Sequence, residues 1–167
     1  MMNFLKINID ASFITTDQNA GIGFILRDNT GYFRGAKCMH CRPHSSEEVE
    51  GIALLEAINW ANDLNLQRVS FESDAQTLVH YAQGKKVKID WRCKSVLDDC
   101  KDLISLSPSF VLSFVPRIAN QAVDFLAKAA RLSSSPISIM QEPPNFMFDI
   151  LNLDTNNLVS EALPPDV

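Results

Sequence analysis

Between Leu5 and Ser12 the chain alternates with a period of two: Leu5, Ile7 and Ile9 share one face, and Lys6, Asn8 and Asp10 share the other. That alternation marks a strand with one buried face. Asp is depleted in strands and its charge is costly to bury unpaired, so Asp10 needs either solvent or a purpose. Two more strands follow at once. Thr15-Thr16-Asp17-Gln18-Asn19 is turn chemistry, Gly21 to Arg27 reads as a second strand, Asp28-Asn29-Thr30-Gly31 as a hairpin turn, and Tyr32 to about Cys41 as a third strand. Three strands joined by short turns form an antiparallel meander, which restricts everything downstream to elements packed on or beside that sheet.

Downstream the period changes. Ser45 and Glu48 have the spacing of a capping box, with Pro43 just outside, and open a helix expected to run to about residues 62–66. Val49, Ile52, Ala53, Leu55, Ala57, Ile58, Ala61 and Leu64 supply its apolar stripe. Arg68 to Ser73 is a fourth strand, with Asp74 as the expected cap of a helix beginning at Ala75. Trp91 to Leu106 is helical, Pro108 and Ser109 break it, and Phe110 to Val115 is a fifth strand stopped by Pro116. Asn120 is the expected cap of a last, alanine-rich helix from Gln121 to about Leu132. The expected fold is therefore α/β, a five-stranded mixed sheet made of the antiparallel meander and two parallel strands, flanked by helices.

Past Leu132 the composition shifts. Ser133-Ser134-Ser135-Pro136, Pro143-Pro144 and Pro164-Pro165 punctuate an acidic, proline-containing tail. The expected division is a domain over 1–132 and a partly flexible tail over 133–167, in which Phe146, Met147, Phe148, Ile150, Leu151 and Leu153 dock as a short helix.

A net charge of −5 argues against loose binding of polyanions, which leaves a basic footprint. A nucleic-acid partner then needs local Lys and Arg or metal ions to overcome the repulsion. No apolar run is long enough for a membrane span, so no membrane partner is expected. Met-Met-Asn-Phe-Leu-Lys leads straight into the first strand, so no signal or transit peptide is expected, and the site of action is read as intracellular. Cys38 and Cys41 have half the spacing of a zinc site, but in a strand they face opposite sides, and Cys93 and Cys100 have the wrong spacing for the other half. Free thiols are the expectation.

Four runs then stand together. They are Asn8-Ile9-Asp10-Ala11-Ser12-Phe13 with Ala20 to Asp28 and Gly31; Val49-Glu50-Gly51-Ile52-Ala53-Leu54; Phe71-Glu72-Ser73-Asp74-Ala75-Gln76; and Val115 through Ala127, containing Asn120 and Asp124. In order and spacing they resemble a type 1 ribonuclease H domain, specifically the plant branch that trails non-LTR retroelement reverse transcriptases or stands alone. The resemblance covers residues 5 to 132 and implies a ribonuclease H-like fold.

It further implies an endonuclease that hydrolyses the RNA strand of RNA–DNA hybrids by a two-metal-ion mechanism, with two magnesium ions for which manganese can substitute. Carried over residue by residue, Asp10, Glu50, Asp74 and Asp124 are the catalytic and metal-holding acids. Glu50 is preferred to Glu47, Glu48 and Glu56 because Ile52-Ala53-Leu54 follows it as in the family. Carboxylate oxygens suit hard divalent cations, and acids clustered without a cation repel and raise one another's pKa. The resemblance also implies four substrate-binding residues: Ser45 and Ser46 near the RNA 2′-hydroxyls, Asn120 near the metals and Arg117 near phosphates. It implies an RNA–DNA hybrid as partner, an upstream reverse transcriptase in an ancestral polyprotein, and a monomer. The chain departs from the family in three ways. The segment Pro116 to Asn120 has no His, only Lys85-Lys86-Val87-Lys88 lies where a basic handle stands in bacterial members, and Ala122-Val123 replaces the usual Val-Ala before Asp124. These departures motivate a second reading, a catalytically weak or inactive retroelement-derived domain that binds nucleic acid or a protein.

Overall fold

The computed structural model describes residues 4–152. Its sheet has the order β5-β4-β1-β2-β3-β6, built from β1 (Leu5–Ser12), β2 (Ala20–Arg27), β3 (Phe33–Cys41), β4 (Val69–Ser73), β5 (Phe110–Phe114) and β6 (Ile137–Met140). β1, β2 and β3 form the antiparallel meander, while β4 pairs parallel to β1 and β5 parallel to β4. This is the α/β mixed sheet expected from the sequence, with one strand more. β6 pairs antiparallel with β3, matching Ala36 with Met140 and Met39 with Ile137. The sixth strand was not anticipated because pairing to a sheet edge satisfies backbone groups through a distant partner, and four residues of ordinary composition carry no local sign of it.

Helices α1 (Ser46–Asp63), α2 (Gln76–Ala82) and α3 (Trp91–Ser105) cover one face. There Ile7, Ile9, Ile22, Phe24 and Phe71 pack against Val49, Ala53, Ala57, Ile58 and Leu97. Helix α4 (Gln121–Leu132) covers the other face, where Ile25, Ala36 and Cys38 meet Ala122, Val123, Leu126 and Ala130. The fit of α4 is very close. A Cβ on Gly21 would overlap the Ala127 carbonyl oxygen and lie 2.5 Å from the Arg131 amide nitrogen, and one on Gly23 would lie 3.0 Å from the Val123 carbonyl oxygen.

Two caps differ from expectation. Asp74 does not cap α2, whose preceding residue Ala75 makes no side-chain cap; instead the Ser73 hydroxyl accepts the Ala75 amide at 3.2 Å. Asn120 stands at the entrance of α4 but its side chain makes no cap bond, because it is engaged elsewhere. Past Leu132 the chain stays on the domain. After β6, a 3-10 turn (Asn145–Met147) and a helical turn over 148–152 seat Met147 and Leu151 beside α4. Leu153 and Pro164-Pro165 lie outside the described residues. Among the described residues no helix is long and apolar enough to cross a membrane.

Candidate active site

Parallel pairing brings the first two acids together. Ile9 of β1 is in register with Ser73 of β4, so Asp10 and Asp74 are each one residue farther along two adjacent strands that point the same way. In open α/β sheets the rim beyond the carboxyl ends of parallel strands is where ligands bind. Glu50 reaches this rim from the second turn of α1, and Asp124 from the first turn of α4. Helix α4 can bring Asp124 so near because the residue before it, Val123, rests on Gly23, and Gly23 is the cross-strand partner of Asp10.

The four acids lie in one another's fields. Burial, together with the charge of Asp74, pushes the Asp10 carboxyl up from 3.8 to about 7, against the opposing pull of the Ala11 amide; Asp124 adds to the rise and Arg117 offsets part of it. Glu50 is pushed well above its ordinary range by burial and then by Asp10 and Asp74. A carboxyl in this position gains from taking up either a proton or a cation. Asp10 is only 5% exposed, and its Oδ1 accepts the Ala11 N–H at 2.8 Å.

Two cations border the acids. Arg117, on the 3-10 turn Arg117–Asn120, places Nε 3.5 Å from Asp74 Oδ2. Lys128, one turn beyond Asp124 on α4, donates from Nζ to Asp124 Oδ2 at 2.6 Å. As the side chains lie, no group of three or more His, Cys, Asp or Glu among the described residues is tight enough to hold a metal ion. The donor chemistry fits hard divalent cations, whereas closing on an ion requires the four carboxylates to converge further, with Lys128 competing for one oxygen of Asp124.

The remaining expected residues divide. The Ser45 hydroxyl caps α1, accepting the Glu48 amide at 3.0 Å, while Ser46 is exposed at the start of that helix. Arg117 is exposed at the rim. Asn120 is 1% exposed, with its side chain turned inward. Its Nδ2 donates to the Ile9 carbonyl at 2.9 Å and its Oδ1 accepts Asn8 Nδ2 at 3.3 Å. Asn8, which shares the strand face of Asp10, is thus brought against Asn120 by the fold. Lys85, Lys86 and Lys88 are on the loop between α2 and α3, all three exposed.

A family model described as reverse transcriptase-like matches residues 8–130. No curated protein matches the chain. Among solved structures, ribonuclease H1 from the halophilic archaeon Halobacterium salinarum is 19% identical, with a TM-score of 0.69 over 75% of this chain and 96% of that one. LC11-RNase H1, isolated from compost, in complex with an RNA/DNA hybrid is 20% identical, with a TM-score of 0.68 over 77% of this chain and 99% of that one. The prototype foamy virus protease-reverse transcriptase is 14% identical, with a TM-score of 0.62 over 80% of this chain and 21% of that one. At these identities the likeness establishes the fold.

Proposed function

The chain belongs to the reverse transcriptase-like family, and on that premise we propose that it is a divalent-metal-dependent endonuclease that cuts the RNA strand of an RNA–DNA hybrid, leaving a 3′-hydroxyl and a 5′-phosphate. The observation that carries this reading is the gathering of Asp10, Glu50, Asp74 and Asp124 at one rim from separate parts of the chain, where burial and then the charge of neighbouring acids push the carboxyls of Asp10 and Glu50 up. Such a cluster is costly unless a cation or protons occupy it. These four acids are the residues that would hold magnesium, with manganese as the substitute. When bound, a pair of such ions supplies an activated water and neutralises charge on the phosphate and the leaving oxygen.

The chain's own groups orient and recognise. The Ala11 amide fixes the Asp10 carboxylate. Arg117 offers a planar guanidinium to a phosphate at the rim. The exposed Ser46 hydroxyl meets the 2′-hydroxyl that distinguishes RNA from DNA, and the Ser45 hydroxyl keeps one lone pair free after capping. The hybrid bound by LC11-RNase H1 supports the substrate class. The foamy virus chain, where the same fold is part of a longer protein, supports a retroelement-derived domain whose ancestral companion was a reverse transcriptase.

One observation favours a second reading, a domain that binds nucleic acid or protein without cutting. The acids do not converge into a metal-holding group among the described residues, and Lys128 already pairs with Asp124. Incubating an end-labelled hybrid with the protein in magnesium, with and without EDTA, beside Asp10→Asn separates the two. Cleavage by the wild type alone, lost in EDTA, is the expected result. No cleavage in magnesium or manganese, or equal cleavage by Asp10→Asn and the wild type, overturns the nuclease reading.

A further inference from the structure

Two buried amides join the strand that carries Asp10 to the helix that carries Asp124. Asn8 is 5% exposed and Asn120 is 1% exposed. A buried amide is expensive unless its donors and acceptor are all engaged, so both side chains have a structural purpose. Asn8 Nδ2 has two protons and uses both, one toward Glu72 Oε2 at 3.1 Å and one toward Asn120 Oδ1 at 3.3 Å. Asn120 in turn donates from Nδ2 to the Ile9 carbonyl at 2.9 Å. At the other end, Lys6 Nζ lies 3.0 Å from Glu72 Oε1.

This series has only one direction. A carboxylate can only accept, so Glu72 fixes Asn8 with its nitrogen facing inward. The nitrogen of Asn8 demands an oxygen from Asn120. The amide nitrogen of Asn120 is thereby turned to the Ile9 carbonyl, immediately before Asp10. Asn120 is the last residue before α4, and Asp124 sits one turn inside that helix. The bond from Asn120 to Ile9 thus ties the entrance of α4 to the backbone from which Asp10 projects.

We propose that Asn8 is a positioning residue for the acid cluster: anchored by Glu72, it sets the orientation of the Asn120 amide and through it the separation of Asp10 from Asp124. The proposal rests on the reading of these acids as a divalent-ion site. Asn8 touches no reacting group and acts only through Asn120. Partners that orient metal-holding side chains in this indirect way change metal affinity by about ten- to hundred-fold when removed. Asn8→Leu keeps the number and branching of the side-chain heavy atoms and removes the bonds. Glu72→Gln is the gentler variant, because its side-chain amide can also present a donor to Asn8 and so removes the directionality without emptying the site.

The test uses the full chain and two measurements. Manganese affinity is read by calorimetry, and exchange of the Asn120 side-chain amide protons is followed by NMR without metal. The expected result is manganese binding weakened about ten- to hundred-fold in Asn8→Leu, with a smaller loss in Glu72→Gln, and faster exchange at Asn120 in both. A merely structural Asn8 would lower stability while leaving the affinity of the folded protein unchanged, and that result overturns the proposal. Unchanged exchange at Asn120 overturns it as well. If the wild type binds no manganese, the metal reading fails on its own account, and the exchange measurement still decides whether Asn8 governs Asn120.

Discussion

Gly23 of β2 is the cross-strand partner of Asp10 of β1, and the missing side chain at Gly23 is the space into which the backbone of α4 descends at Val123. A larger residue there would lift the helix from the sheet and take Asp124 with it. The glycines of this strand therefore belong to the site as much as the acids do.

Gly21→Ala is the direct check on that packing. The added methyl meets the Ala127 carbonyl oxygen, a backbone atom that cannot rotate away. Overpacking of this kind costs about 1–3 kcal/mol. Urea unfolding of the variant beside the wild type measures it, and an unchanged midpoint refutes the close approach of α4.

Asp10 makes stability depend on pH in the absence of metal. Below about pH 4 its carboxyl is protonated in both states. Between 3.8, its ordinary value, and about 7 the unfolded chain has released the proton and the folded protein has kept it, so stability falls as pH rises through that window and levels off above it. Full expression of the difference is worth at most roughly 4 kcal/mol. Glu50 acts in the same direction. Urea midpoints in EDTA from pH 4 to 8 should decline for the wild type and decline less for Asp10→Asn; parallel curves for the two proteins remove this role from Asp10.

Magnesium should reverse that alkaline loss. A ligand that binds only the folded state stabilises it by about 2.7 kcal/mol at a hundredfold excess over its dissociation constant. Thermal melts at pH 8 should therefore shift upward as magnesium is added, with no shift in Asp10→Asn. Equal shifts in both proteins would place the ion somewhere else.

Lys128→Gln should separate binding of the metal from binding of the hybrid. The Lys128–Asp124 pair is exposed on α4, so its loss changes stability by no more than about 0.5 kcal/mol. Freed of its competitor, Asp124 should take manganese more tightly, while loss of a positive charge beside the rim should weaken hybrid binding. Calorimetry with manganese and fluorescence anisotropy with an uncleaved hybrid read the two effects; movement in the same direction excludes the competition.

Much of this protein was legible in one dimension. The alternation of Leu5 to Ser12, the capping hydroxyl of Ser45 and the breaks at Pro108 and Pro116 depend on neighbours a few residues away, so β1, α1 and β5 begin or end close to where local chemistry puts them. The four acids could be named because the motifs around them are also local. Only tertiary structure decided how the acids are held. Asn120, read as a helix cap and substrate contact, turns its amide to Ile9 and Asn8, more than a hundred positions away in the chain. β6 likewise exists because β3 offers it an edge. A hydrogen bond is satisfied by whichever group the fold brings within about 3 Å, and nothing in the local order of residues specifies which group that is.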